Sequence, residues 1–114
     1  MSHAAVRSLE AEPTVCSTGF AVITSDRALS PSFLAHLPFA EQVTRQLVAW
    51  QCGTNYPAVN ERDIRRLIVP VPPPDEQAAI ACILDAVDAA LERTRAAVER
   101  AREVKRALVQ QVLT

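Results

Sequence analysis

Residues 75–114 read DEQAAIACILDAVDAALERTRAAVERAREVKRALVQQVLT. Residues in this stretch recur at alternating spacings of four and three, the heptad pattern of a helix that packs on another helix. The positions are Ile80, Leu84, Val87, Leu91, Thr94, Val98, Ala101, Lys105, Leu108 and Val112. At about 1.5 Å per residue such a helix extends on the order of 55 Å, too long to pack fully on a small domain. We therefore predict a long helix whose seam pairs with another chain or segment.

The seam is weak, because Thr94, Ala101 and Lys105 stand where large apolar residues are usual. Charge is also segregated, with acidic residues in the first half of the helix and mostly basic residues in the second. Two such helices laid antiparallel would bring acidic halves against basic ones. The same layout suits the helix dipole and a solvated face. An antiparallel pair and a parallel zipper therefore both stay open.

A proline-rich hinge precedes the helix. Pro72-Pro73-Pro74 is stiff and sets the direction of the helix after it, and Asp75-Glu76 places acidic groups on the first helical turn. Before the hinge, Leu67–Val71 is predicted as a short apolar strand. Because Pro70 cannot donate to a central ladder, this strand should lie at a sheet edge or end there.

The sequence before the hinge predicts a small domain with both strands and helices, called the head. Thr14–Thr24 indicates a strand with a bulge, or two short strands, interrupted at Ser17-Thr18-Gly19. Ser30-Pro31-Ser32 is typical of a helix start, with Pro38 breaking or restarting that helix. Residues 39–51 then predict an amphipathic helix. The apolar face of this helix comprises Phe39, Val43, Leu47 and Trp50.

The predicted fold class is therefore α+β: a small domain with a few short strands and helices, followed by one long coiled-coil-type helix. We predict three regions: a poorly ordered lead-in at 1–13, the α+β domain at 14–74, and the heptad helix at 75–114.

Composition limits the function classes. The chain has 114 residues, a net charge of -1 and a pI near 6.1, so no overall positive field draws it onto nucleic acid, although local basic patches remain possible. Eleven of its twelve basic residues are arginines, which suit carboxylates, phosphates and guanine edges, or reflect a simple compositional bias. No apolar run reaches the length of a signal peptide or a membrane span. We predict a cytoplasmic protein with no membrane role.

Residues for catalysis or metal binding are sparse. Cys16, Cys52 and Cys82 are far apart and form no CxxC pair, so burial as small apolar side chains is favoured over a zinc site or a disulfide framework. His3 and His36 are the only histidines, and no Ser-His-Asp or Cys-His arrangement can be built around them. There is no GxGxxG motif and no Walker loop. We predict a chain without catalytic activity, cofactor or metal.

Several motifs occur together in an order that resembles a known family. Gly53-Thr54 and Val59-Asn60 are followed by the run LIVPVPPPDEQ at 67–77 and by a helix bearing Ile80. This order resembles the end of a target recognition domain in the specificity subunit of type I restriction-modification systems. Ser17-Thr18-Gly19-Phe20 also matches a strand that recurs upstream in that family, so the resemblance covers about 16–114.

The resemblance implies a non-catalytic subunit that helps to recognise a target DNA sequence within a complex. In such systems a globular domain reads bases, and the long helix pairs with a second helix and docks methyltransferase subunits. This chain has one helix and the latter part of one domain, which predicts a truncated or half-length subunit. Its expected partners are double-stranded DNA, methyltransferase subunits, and a second copy or another specificity-subunit half.

The candidate DNA contacts are polar groups beside tight backbone and the arginines after them in the chain. They are Thr18, Thr54, Asn55, Tyr56, Asn60, Arg62 and Arg65. Ordinary turn chemistry or a solvated charge is the competing interpretation of each residue. The residues predicted to pair the helices are Ile80, Leu84, Val87, Leu91, Val98, Ala101, Leu108 and Val112.

Two other functions compete with DNA recognition. The first is an interaction or scaffold protein, in which a small head sits on an oligomerising helix and has no DNA role. The second is an enzyme, for which the sequence contains no identifiable nucleophile or metal cluster. Salt-dependent binding of duplex DNA in the presence of methyltransferase subunits separates DNA recognition from the scaffold role.

Overall fold

The computed structural model describes residue 15 and residues 19–52 and 59–114. The chain divides into two compact units, Met1–Ala79 and Ile80–Thr114. The helices are α1 (Pro31–His36), α2 (Glu41–Ala49), α3 (Glu61–Arg65) and α4 (Pro74–Leu113), with a 3-10 turn at Leu37–Phe39. The described residues are mostly helical and contain no β-strand, so the α+β class is not confirmed. The predicted lead-in at 1–13 lies outside them.

Helix α1 begins where the sequence predicts a helix start. The Ser30 hydroxyl accepts a hydrogen bond from the Phe33 backbone N–H at 3.3 Å, and Pro31 occupies the first turn, where its missing N–H costs nothing. The short helix places Phe33 in the interior of the first unit. Leu37, in the 3-10 turn, and Val43, on α2, are also buried there.

Helix α2 is shorter than the predicted 39–51 helix. Pro38 lies within the 3-10 turn, and α2 begins only at Glu41, after Ala40 has adopted an extended conformation. Phe39, predicted for the apolar face, is therefore outside the helix and 61% exposed. Trp50 caps the other end of α2 and is half-buried. Pro38 thus restarts the helix, which is one of the two outcomes predicted for it.

The prediction of a strand at Leu67–Val71 is wrong. No strand forms there, because the Gln46 side chain takes the hydrogen bonds that a neighbouring strand would make. Its Nε2 donates to the Ile68 carbonyl at 2.8 Å, and its Oε1 accepts from the Ile68 N–H at 2.9 Å. Pro70 and Pro72 have no N–H to extend a ladder. In the predicted strand Thr14–Thr24, the described residues Val15 and 19–24 also form no strand.

Helix α4 confirms the predicted long helix. It spans Pro74–Leu113, 40 residues, and at about 1.5 Å per residue it is roughly 60 Å long. Proline is favoured at a helix start because its φ is already helical, and Asp75 and Glu76 stabilise the first turn by facing the positive end of the helix dipole. Among the described residues, no helix is both long and apolar enough to cross a membrane.

The first turn of α4 is fastened within the first unit by Gln77, whose side chain is buried, with 1% of the residue exposed. Its Oε1 accepts from the Ser30 N–H at 2.8 Å, and its Nε2 donates to the carbonyls of Ala28 at 2.8 Å and Pro72 at 2.9 Å. The Asp26 carboxylate shapes the same loop by accepting from the Ala28 N–H at 2.8 Å. Gln77 thus joins the loop before α1, the hinge and the start of α4.

Candidate nucleic-acid interface and pairing surface

Helix α3 and its N-cap, which together carry the described DNA-contact candidates, are not predicted from the sequence. Asn60 is its N-cap: the Asn60 Oδ1 accepts from the Asp63 N–H at 3.1 Å, and the Asp63 carboxylate accepts from the Asn60 N–H at 3.3 Å. This reciprocal capping box holds a helix of only five residues. In the sequence, the spacing Asn-x-x-Asp at 60–63 indicates such a capping box, although Asp replaces the usual Glu or Gln.

The three arginines of this region differ in what they contact. Arg65 is tied to the Glu61 carboxylate, with its Nε at 2.9 Å and a terminal nitrogen at 2.6 Å. Arg66 pairs with the buried Asp63 at 2.6 Å and lies over the Trp50 ring, 4.9 Å from its centroid. Arg62 is exposed and has no hydrogen bond or ion pair with any residue in the described ranges. Of these three arginines, Arg62 is therefore the most available to a phosphate.

The Arg66 contacts were not predicted from the sequence. Trp50 ends α2 and Asp63 lies on α3, so the guanidinium joins the two helices through a cation–π contact and an ion pair. Asp63 is buried and gains a charged partner, which offsets the free energy cost of removing its carboxylate from water. No sequence spacing links positions 50 and 66, because this contact depends on how the intervening chain folds back. The cluster holds α3 in place.

The structure brings Asn60, Arg62 and Arg65 together on one short helix. The other candidates, Thr18, Thr54, Asn55 and Tyr56, lie outside the described residues. Asn60 already uses its side-chain oxygen in the cap, so its amide nitrogen is the part of the side chain left to contact DNA. The DNA-contact residues therefore stay a prediction.

Substitutions at Asn60 separate its capping role from a contact with DNA. We expect Asn60→Ala to lower the free energy of unfolding by about 1 kcal/mol, because the Asp63 N–H loses its acceptor. Asn60→Ser should retain most of that free energy, because serine is an equally good N-cap. Urea denaturation of the full chain measures both changes. Equal losses in the two variants would contradict the capping role, and a loss of DNA binding in Asn60→Ser without loss of stability would assign Asn60 to the DNA interface.

The predicted pairing residues form an exposed stripe on the second unit, named here the pairing seam and defined by the ten heptad positions from Ile80 to Val112. Ile80 is half-buried and Ala101 is exposed. The larger aliphatic side chains beyond Ile80 in the seam are between 38% and 77% exposed. They are Leu84, Val87, Leu91, Val98, Leu108 and Val112. A single chain therefore leaves most of the apolar surface of the seam open to solvent.

Polar groups in and beside the seam are partly satisfied within the helix. The Thr94 hydroxyl donates to the Ala90 carbonyl at 3.0 Å, so it needs no acceptor on a partner. Arg95 pairs with Glu92 at 3.0 Å, and Glu99 pairs with Arg102 at 3.6 Å and with Arg106 at 3.1 Å. Lys105 makes no hydrogen bond or ion pair in the described part of the chain, and it is the one fixed charge within the seam.

Comparison with known families gives a match that covers most of the chain. The family described as type I restriction modification DNA specificity domain matches residues 4–100. The match includes the capped α3 segment, the Pro-rich hinge, Gln77 and the seam as far as Val98. No curated protein and no solved structure matches the chain.

Proposed function

Because the chain belongs to the family of type I restriction-modification DNA specificity domains, we propose that it is a non-catalytic specificity component of such a system. In this role the first unit contributes to recognition of the DNA target in the cytoplasm. The pairing seam of α4 joins a second helix of the same kind, and the assembled helices dock methyltransferase subunits. The observation that carries the proposal is the family match over residues 4–100, which spans both the head and most of the seam.

The contacts around α3 support the DNA-binding part of the proposal. The capping box and the Arg66 cluster hold a short helix whose exposed side carries Arg62 without an intramolecular partner among the described residues. An unpaired cation on such a helix is suited to bind a DNA phosphate. Contacts to phosphates position a protein on DNA but do not read the base sequence. Arg65 would first have to leave Glu61, so its contribution should be smaller.

Exposed apolar residues in the first unit support a half-length recognition domain that is completed by further protein. Phe20, Val22 and Ile23 are 65%, 77% and 51% exposed and lie close together in the chain, outside any helix. Large apolar side chains that are exposed close together in the chain are candidates for a protein interface. The remainder of a recognition domain, supplied by another polypeptide segment, would cover these three side chains.

The experiment uses the complex assembled with the methyltransferase subunits and a duplex containing its target site. We expect Arg62→Ala to weaken DNA binding and to reduce the slope of log K against log salt by about 1, because one phosphate contact is lost. Adding Arg65→Ala to the Arg62→Ala variant should reduce the slope again, but by less than Arg62→Ala does. Fluorescence anisotropy over a range of salt concentrations measures both.

Arg45→Ala is the matched control, because Arg45 is an exposed helical arginine paired with Glu41 four residues earlier, as Arg65 is with Glu61. We expect it to leave the salt slope unchanged. An unchanged slope in the Arg62 variants would remove these arginines from the DNA interface. If the complex shows no salt-dependent duplex binding at all, the alternative of an oligomerising interaction or scaffold protein without a DNA role is favoured.

A further inference from the structure

Arg27, like Arg62, is an exposed arginine with no intramolecular partner in the described part of the first unit. It makes no hydrogen bond or ion pair with any described residue. The other arginines described in this unit, Arg45, Arg65 and Arg66, each pair with a carboxylate. The charge of Arg27 is therefore available to an anion outside the chain.

The carboxylate next to Arg27 in the sequence is used by the backbone. The Asp26 Oδ1 accepts from the Ala28 N–H at 2.8 Å and from the Leu29 N–H at 3.3 Å. An aspartate closes a turn in this way because its short side chain reaches the backbone two residues later. Asp26 thus fixes the backbone that carries Arg27 and forms no ion pair with the guanidinium.

Gln77 holds the same loop through a second set of hydrogen bonds. Its Oε1 accepts from the Ser30 N–H at 2.8 Å, and its Nε2 donates to the Ala28 carbonyl at 2.8 Å. Only 1% of Gln77 is exposed, so little water reaches these bonds to compete with them. Backbone groups on residues 28, 29 and 30 are therefore all bound, directly after Arg27.

An arginine on a fixed loop is suited to bind an anion tightly. Binding costs free energy for each loop and side chain that has to be ordered, and a backbone that is already held reduces this cost. The guanidinium also presents a planar fork of donors that matches two phosphate oxygens. The N–H groups of residues 28–30 are already bound, so the Arg27 side chain is the donor that this loop offers to a phosphate.

We infer that Arg27 binds a phosphate of duplex DNA, and that Asp26 is a positioning residue that acts by fixing the turn that presents Arg27. The inference rests on the DNA-recognition role proposed for the first unit. It extends the DNA interface to a loop that contains none of the candidate DNA contacts. A phosphate is favoured over a base edge, because the following loop side chains, Ala28 and Leu29, have no group that reads bases by hydrogen bonding.

Salt-dependent DNA binding by the complex with methyltransferase subunits tests Arg27. The probes are a duplex that contains the target site and a duplex of unrelated sequence. We expect Arg27→Ala to weaken binding to both duplexes roughly tenfold at about 0.1 M salt and to lower the slope of log K against log salt by about 1, because one phosphate contact is lost. Arg27→Lys should keep most of the affinity, because a lysine also binds phosphate, as a point charge.

Arg45→Ala is the matched control, because Arg45 is an exposed arginine of the same unit whose charge is already paired with Glu41. It should leave the affinity and the slope unchanged. If the complex binds the duplexes and Arg27→Ala changes neither quantity, this inference alone is rejected. A loss confined to the target duplex would show that Arg27 reads a base, which rejects the phosphate contact. If the natural complex shows no salt-dependent duplex binding, the proposed DNA role is rejected and this inference with it.

Two substitutions of Asp26 separate positioning from charge. Asp26→Asn and Asp26→Ala both remove one negative charge, which by itself strengthens DNA binding equally. Asparagine keeps a side-chain oxygen that accepts from the backbone of the turn, and alanine does not. We therefore expect Asp26→Ala to bind the duplex about threefold or more weakly than Asp26→Asn. When Arg27→Ala is also present, the two should bind alike, because no guanidinium is left to position.

Equal affinities of the two Asp26 variants in the presence of Arg27 would refute the positioning role. A difference that persists when Arg27→Ala is present would refute it as well, because the turn would then act on DNA binding without the guanidinium. Asp26 is exposed and its bonds span only two and three residues, so we expect both variants to fold. Circular dichroism at the assay temperature verifies this.

Discussion

Gln77→Ala is expected to lower the free energy of unfolding by about 3 kcal/mol and the melting temperature by roughly 10 to 20 °C. The buried Gln77 amide makes three hydrogen bonds, to Ser30, Ala28 and Pro72. Alanine leaves one backbone N–H and two carbonyls without these partners, and water entering the cavity offsets only part of the loss. Urea and thermal denaturation of the full chain measure the change.

The matched control is Gln42→Ala, the same substitution at an exposed position of α2. We expect it to change the free energy of unfolding by less than about 0.5 kcal/mol. A Gln77→Ala variant as stable as this control would show that the Gln77 hydrogen bonds, which join the loop at 26–30, the hinge and α4, contribute nothing to the free energy of unfolding.

Gln77→Glu distinguishes hydrogen bonding from side-chain size. An ionised carboxylate keeps an acceptor for the Ser30 N–H but places negative charge against the carbonyls of Ala28 and Pro72. Folding therefore favours the protonated form of the introduced carboxyl. The destabilisation relative to the natural chain should be largest near pH 7 and should shrink as the pH falls through the range in which that carboxyl protonates. A destabilisation independent of pH would contradict this account.

Leu91→Glu is expected to weaken association through α4 on the order of a hundredfold or more. Leu91 is 47% exposed in the single chain and lies near the middle of the pairing seam. Two identical chains lose this apolar contact twice, each at about 2 kcal/mol, and each 1.4 kcal/mol corresponds to a tenfold change in affinity. Analytical ultracentrifugation over a range of concentrations measures the change.

Ala89→Glu is the matched control, because it introduces the same carboxylate two residues away at an outer heptad position. We expect it to leave association within about threefold of the natural chain, since an exposed charge at a helix surface contributes little. Comparable weakening by both substitutions would show that added negative charge, and not loss of the seam contact, is responsible. Circular dichroism of both variants shows whether α4 remains helical.

The features predicted correctly from the sequence depend on residues close together in the chain. The heptad spacing from Ile80 to Val112 predicts α4, and its observed range, Pro74–Leu113, differs by one residue at each end from the predicted 75–114. Ser30 and Pro31 predict the start of α1 in the same way, through a cap three residues from its donor. Helical periodicity and capping are local, so neither requires knowledge of the rest of the fold.

The strand prediction at Leu67–Val71 shows where local pattern is insufficient. A run of β-branched residues favours an extended backbone, but a strand also needs a partner for its N–H and C=O groups. Here Gln46, 22 residues earlier, supplies both hydrogen bonds to Ile68 from a side chain. Nothing in the spacing of these residues indicates that a glutamine amide replaces a neighbouring strand.

The long helix, its proline-rich start and the order of motifs that indicates the family all follow from the sequence alone, because periodicity, capping and motif order are properties of neighbouring residues. The tertiary structure is needed to show what Gln77 does: this residue looks like an ordinary first-turn glutamine, but its side chain is buried and hydrogen-bonds to a loop 47 to 49 positions earlier. It also decided that Arg62 has no partner among the described residues while Arg65 and Arg66 are tied to acids. The reason is physical, since burial and hydrogen-bond partners depend on distances in space that the folded chain alone establishes.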